Sequence, residues 1–381
     1  MKHSKLAALS VLALAAGAAC AQSSVTLYGV IDTGVERITN VGAGSSSLTR
    51  MPGQSGGYLP SRWGVRGTED LGNGLKANFV LESGFSPDKG TNSTNQGGRL
   101  FGRSAWVGLS GNWGALSFGR QYTMYFWSLL DADPMGPAIY GLGSLDSGIP
   151  GARSDNTVAY KGTWAGFTAG ATYSFGRDAN GSTTANSCAG EVAGNYKACK
   201  QYSVLAKYDA PIWGVALAFD EQRGGPGANL AVPAAVANSS DTTDRRRIAN
   251  GYVKFGPVKA SVGLIKRNNE ANTATTVTPR SDLVFVEADW AVTPAITVTP
   301  LWARLKYKDS TDGSKATMYS LRVGYALSKR TALYATAGRI SNKGSLGLSV
   351  SGGTVPADAQ ATAPIAGGSQ NGYMVGVRHS F

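Results

Sequence analysis

The amino-acid sequence predicts an all-β fold: a closed transmembrane β-barrel of 16 antiparallel strands. Three observations carry the prediction. Segments that alternate apolar with polar or small residues recur along the chain, and their connectors switch regularly between short turns and long polar loops. Beyond the first 21 residues no stretch approaches the 18 uninterrupted apolar residues that a spanning helix needs. A chain that crosses a membrane without such a helix must close a barrel, because only closure satisfies every backbone polar group in lipid.

The first element is an export leader. Met1-Lys2-His3-Ser4-Lys5 is a short basic region, and Leu6 to Ala19 is a run of fourteen residues that is apolar except for Ser10. Ala19-Cys20-Ala21 supplies the small-x-small pattern of a cleavage site, so residues 1–21 read as a secretory signal peptide. Cys20 admits lipoprotein processing as an alternative, but Gly17-Ala18-Ala19 lacks the usual leucine three residues upstream. Cleavage after Ala21 leaves 22–381 as a single barrel domain of 360 residues.

Composition narrows the function. The 51 Gly, 16 Tyr, 11 Phe and 8 Trp suit tight turns, small lumen positions and aromatic girdles at the membrane interfaces. With 36 Lys plus Arg against 24 acids, and Lys2 and Lys5 lost with the leader, the mature chain carries +10. A basic balance often signals nucleic acid. Here the bases are dispersed along strands and the chain is exported, so a positive interior attracting small anions fits better. Cys188 and Cys199, eleven residues apart, are expected to form a disulfide in an oxidising compartment. Closing so short a loop stabilises by roughly 2–3 kcal/mol on the chain-entropy model. No histidine lies near them, which argues against a metal site, and nothing implies a cofactor.

Five segments alternate cleanly. Val25-Leu27-Gly29-Ile31 opposes Thr26-Tyr28-Val30-Asp32, and Leu75-Ala77-Phe79-Leu81 opposes Lys76-Asn78-Val80-Glu82. The runs at 167–175, 258–264 and 318–327 behave alike. Alternation is poor at 295–307 and 331–340, where faces stay unassigned. Short turns fall at 70–74, 112–114, 162–166, 210–213, 256–257, 292–294 and 328–330. Longer polar stretches fall at 39–60, 87–98, 122–154, 177–200, 223–245, 268–280, 308–315 and 342–370. Seven turns and eight loops make 16 strands with both termini on the short-turn side. Trp113, Trp164, Trp213, Phe255, Trp290, Tyr325 and Phe381 recur near strand ends, as interfacial girdles require.

In the last ten residues Tyr373, Val375, Val377, His379 and Phe381 share one face, opposite Gly372, Met374, Gly376, Arg378 and Ser380. This stretch resembles the closing strand of bacterial outer-membrane barrels, where a terminal aromatic belongs to the signal read by the barrel-assembly machinery. Further stretches extend the likeness. They are 24–34 (SVTLYGVIDTG), 61–72 (SRWGVRGTEDLG), 101–109 (FGRSAWVGL), 118–122 (FGRQY), 153–160 (RSDNTVAY) and 325–331 (YALSKRT). Together they resemble the general porins of Gram-negative bacteria, particularly the β-proteobacterial type.

The resemblance implies a homotrimer in outer-membrane lipid, passing small hydrophilic solutes and ions, with a third outer loop folded inward. That loop is about 122–154 and holds Asp131, Asp133 and Asp146. The resemblance further implies that wall arginines face these acids across a constriction, the matching positions being Arg62, Arg103 and Arg153, with Arg66 and Arg120 as additional candidates. Parity puts Arg62 and Arg66 on one face, but it puts Arg103 with Ala105, Val107 and Leu109 unless a bulge intervenes. Lys76, Lys259, Arg322 and Arg378 are further inward-facing candidates. A surplus of one charge in a narrow wet pore favours the opposite ion, so anion selectivity is expected. Three other readings stay open. A barrel enzyme would need a base, yet the mature chain has only His379, near the short-turn rim, and Glu69-Asp70 sits at a turn. An adhesin or a substrate-specific porin would share the same wall.

Overall fold

Strand pairing closes the sheet on itself. A computed structural model describes residues 24–92, 99–177, 188–226, 239–352 and 362–381, so the expected leader at 1–21 lies outside the described residues. Sixteen strands form the wall. In chain order they are β1 Ser24–Val41, β2 Arg62–Gly72, β3 Leu75–Ser86, β4 Ser104–Gly111, β5 Gly114–Tyr122, β6 Thr157–Trp164, β7 Phe167–Ser174 and β8 Gln201–Asp209. They continue as β9 Trp213–Arg223, β10 Thr243–Phe255, β11 Val258–Asn269, β12 Arg280–Ala291, β13 Ile296–Tyr307, β14 Lys315–Ala326, β15 Thr331–Lys343 and β16 Ser369–Ser380. Each pairs antiparallel with its sequence neighbours, and β1 also pairs with β16 from Val30↔Ser380 to Ile38↔Gly372. The short–long rhythm of connectors is as the sequence predicts, within a few residues. One boundary differs: Arg245 belongs to β10 rather than to the preceding loop, where it ion-pairs with Glu221 at 2.7 Å.

The polarity of the wall is reversed relative to a water-soluble sheet. Val25, Leu27, Ile31, Tyr319, Leu321, Val323, Val375 and Val377 are exposed, while Asp32, Glu36, Ser320 and Arg322 on the opposite parity are buried. An apolar outer band suits lipid, and polar groups can then face only the lumen. Tyr373, His379 and Phe381 also lie on the exposed outward face.

Inside the barrel, residues 123–152 form a packed core of their own. The helix α1 Met124–Leu129 opens this segment. Tyr125, Met135, Ile139, Tyr140, Leu142 and Ile149 are buried in one cluster with the wall residues Leu205, Ile248, Ile265, Phe285, Leu305 and Ile340. This explains why faces could not be read at 295–307 and 331–340. There Leu301, Ala303, Leu305 and Ile340 are inward yet apolar, because protein rather than water meets them. Cys188 and Cys199 form a disulfide in the connector between β7 and β8, fully buried.

The seam between first and last strands is close-packed at Gly34. A Cβ there would lie 2.1 Å from the Val375 carbonyl oxygen and 2.6 Å from the Gly376 Cα. Both obstacles are backbone, so Gly34→Ala should strain the closure by about 1–3 kcal/mol. On unheated denaturing gels after stepped heating, the folded band of this variant should disappear at a lower temperature than the parent's; an unchanged transition would contradict the seam geometry.

Candidate functional site

The inward segment packs on wall residues from Gly170 of β7 round to Met374 of β16 and Ile38 of β1, and a separate set of polar groups comes from β1–β4 and the two ends of the segment. Three guanidiniums gather there, two on one carboxylate and the third linked to them through a tyrosine hydroxyl. Arg103 Nε lies 2.7 Å and Arg62 Nε 3.4 Å from the two oxygens of Glu82. The Tyr28 hydroxyl donates to the same carboxylate at 3.0 Å. Arg103 and Arg153 each donate to the Tyr122 hydroxyl at 2.6 Å, and the Arg153 guanidinium also lies 4.3 Å over the Tyr122 ring. Arg62 donates to the Pro60 carbonyl at 3.2 Å and Arg153 to that of Pro150 at 2.8 Å. The result is a rigid cationic ridge with a surplus of two positive charges. Arg62, whose side chain is 20% exposed against 5% for Arg103, presents more surface to the lumen than Arg103 does.

Arg103 reaches this site despite its parity because it precedes β4 and is free of the pleat. Arg66 is exposed on the Arg62 face, its guanidinium 5.2 Å from the Tyr28 ring. Arg120 is placed apart. It sits opposite Ala105 on the outward parity shared with Phe118, and it pairs with Asp155 at 2.6 Å and the Gly102 carbonyl at 2.6 Å.

The acids of the inward segment are distributed differently from the expectation. None pairs with Arg62, Arg103 or Arg153 among the described residues; Asp131 and Asp146 are held by wall bases instead, and Asp133 accepts the Gly136 amide of its own segment at 2.8 Å. Asp146 accepts two bonds from Arg246, at 2.9 and 3.0 Å, and the Gly148 amide at 2.8 Å. Arg246 continues to Asp244 at 2.9 Å, and Asp244 receives Arg267 through two bonds of 2.8 Å. Burial raises the Asp146 carboxyl, but Arg246 and Arg267 outweigh it and hold the group well below the usual carboxylate range. Asp131 pairs with Lys207 and lies 3.9 Å from Lys259. Asp133 is buried against Glu287, which accepts the Met135 amide at 2.9 Å, while Arg322 donates to the carbonyls of Met135 and Pro134 at 3.0 and 2.8 Å. Burial pushes the Asp133 carboxyl up.

Sequence reasoning missed Glu82, Tyr122, Lys207, Arg246, Arg267, Asp244 and Glu287 as parts of the site. Glu82 was visible on the polar face of an alternating segment; the others depend on contacts between residues far apart in the chain.

A closed barrel with an apolar exterior, a charged lumen and an inward segment that narrows it defines a transmembrane channel of the outer membrane. Comparison with known proteins agrees. A family model described as Gram-negative porin matches residues 8–345. Outer membrane porin protein 32 of Delftia acidovorans is 33% identical over 400 residues, spanning 100% of both chains. An outer membrane porin protein of Bordetella pertussis is 40% identical over 239 residues, which are 58% of this chain and 60% of that one. The solved structure of an anion-selective porin from Comamonas acidovorans superposes with a TM-score of 0.73 at 28% identity, over 94% of this chain and 100% of that chain. The chain belongs to the Gram-negative porin family.

Removing one partner of a buried ion pair costs about 3–5 kcal/mol. Asp146→Ala should therefore detach the inward segment locally while leaving the wall closed. Single-channel recording should show higher open-channel noise and altered conductance, with the folded band retained on unheated gels. The sign with pH follows from the depressed Asp146 carboxyl. Its contribution is complete above its unfolded value, about 3.9, and is lost only as pH falls through the lower folded value. Parent noise should accordingly be flat from pH 7 to 5; a rise within that window would contradict the latch.

Proposed function

We propose that this porin is a general diffusion channel for ions and small hydrophilic solutes with a preference for anions, set by Arg62, Arg103 and Arg153. The carrying observation is that Arg62 and Arg103 share one carboxylate, Glu82, while Arg153 joins them through the Tyr122 hydroxyl with no carboxylate of its own. The acids of the inward segment do not offset them, because Lys207, Arg246 and Arg322 already engage that segment. A unit charge acts on a passing ion with about 1 kcal/mol at 4 Å in water, less when screened. Two surplus charges therefore suffice for a several-fold preference at low salt. The similar porin from Comamonas acidovorans is anion-selective, which supports the same reading here. The protein acts by passive transport, not catalysis, with no nucleic-acid partner.

We also propose that the mature chain, 22–381, assembles as a homotrimer in outer-membrane lipid. Val25, Leu27, Ile31 and Val35 on β1 and Val375 and Val377 on β16 form a continuous apolar outer strip that a second copy can cover. Tyr373, Val375, Val377, His379 and Phe381 on that face are the proposed signal to the barrel-assembly machinery.

Across a KCl gradient near 0.1 M, the reconstituted protein should give an anion-selective reversal potential that weakens at 1 M, where the Debye length falls to about 3 Å. Arg62→Gln and Arg153→Gln should each lower the anion-to-cation permeability ratio several-fold, whereas Arg280→Gln at the exposed outer end of β12 should change it little. Cation selectivity in the parent would sink the proposal. Oligomeric state is separable: light scattering in mild detergent should return three copies, and a monomer would refute the assembly.

A further inference from the structure

On the short-turn side of α1 the lumen holds a cavity of about 430 Å³. Its charged groups are Arg66 and Lys161, and no carboxylate lines it. Neither cation has an ion-pair partner among the described residues; each instead meets an aromatic face, Arg66 at 5.2 Å from the Tyr28 ring and Lys161 Nζ at 3.3 Å from the Trp127 ring. The indoles of Trp106 and Trp127 and the phenol of Tyr122 also line the space, all only partly buried. Trp106 faces inward, since Val107 and Leu109 on the other parity are exposed to lipid. Tyr122 joins this cavity to the arginine ridge.

Chloride or phosphate needs positive charge and hydrogen-bond donors, not aromatic walls. Two partly exposed indoles beside two cations that have no carboxylate partner are complementary to a different solute. An anion with a flat apolar body can place its carboxylate on Lys161 or Arg66 and lay its ring on the indoles. The volume lies in the range of small-molecule sites, which are mostly apolar with a few placed polar groups.

We propose that this cavity is a binding subsite for small aromatic monocarboxylates, placed after the arginine ridge along the permeation path. The inference rests on the anion-channel reading and narrows it to a solute class. Occupancy of the subsite slows the passage of chloride, so the ligand acts as a concentration-dependent blocker of its own path.

The test uses benzoate and acetate as probes on the reconstituted full-length mature protein in planar bilayers, recording chloride current against concentration. Benzoate should reduce the current at a concentration about tenfold below acetate. Lys161→Gln and, separately, Trp106→Leu should each bring the benzoate value to within about threefold of the acetate value, while both variants keep an anion-selective reversal potential in KCl. Equal potency of benzoate and acetate in the parent overturns the proposal, and this needs no variant to assemble. Unchanged benzoate potency in both variants overturns it as well. Loss of anion selectivity in the KCl measurement on the parent would instead refute the channel reading on which the subsite rests.

Discussion

In a bilayer no backbone N–H or C=O that faces lipid can remain without a partner. That constraint forces β1 and β16, at opposite ends of the chain, into register from Val30↔Ser380 to Ile38↔Gly372. Closure then fixes everything else about the wall. Every second residue must tolerate lipid, so the apolar set lies outside and the polar set has only the lumen to face. A barrel of this many strands encloses more space than its own inward side chains fill. The chain answers with residues 123–152, which carry a hydrophobic core into the interior and leave the channel on the β1–β4 side.

Filling the lumen creates an electrostatic problem whose solution determines selectivity. The segment brings three carboxyls, Asp131, Asp133 and Asp146, into a region of reduced dielectric. Unpaired, each would be costly. Lys207 and Arg246 pair with Asp131 and Asp146, and beside Asp133 Glu287 and Arg322 bond the backbone of Pro134 and Met135, so the segment is attached at three points around the wall. The arginine ridge is left with Glu82 as its counter-charge, and the field in the open part of the lumen is positive. Anchoring and selectivity are two consequences of one pairing pattern.

The wall was legible in the sequence because its code is local. Alternation at Val25–Ile31 and the placement of turns such as Gly256-Pro257 needed no knowledge of distant residues. Legibility failed where the lumen itself becomes apolar. Leu301, Leu305 and Ile340 face inward because Tyr140 and its neighbours cover them, so a two-sided apolar strand lost its pattern. Arg62 and Arg66 could be placed by parity, whereas Arg103 and Tyr122 stand at or beyond strand ends, where the pleat no longer dictates direction. The pairing of Asp131 with Lys207 and of Asp146 with Arg246 is tertiary: Asp146 meets Arg246 across one hundred residues, and no spacing encodes that.

Diffraction at the bromine absorption edge, from crystals of the protein soaked in bromide, would test the central claim most directly. If the ridge carries uncompensated positive charge and the attachment points are neutral, ordered bromide should appear beside Arg62, Arg103 and Arg153. None should appear at the Asp146–Arg246–Asp244–Arg267 network, where the charges balance. Bromide at that network with none at the ridge, or rubidium bound at the ridge in a parallel soak, would contradict the account.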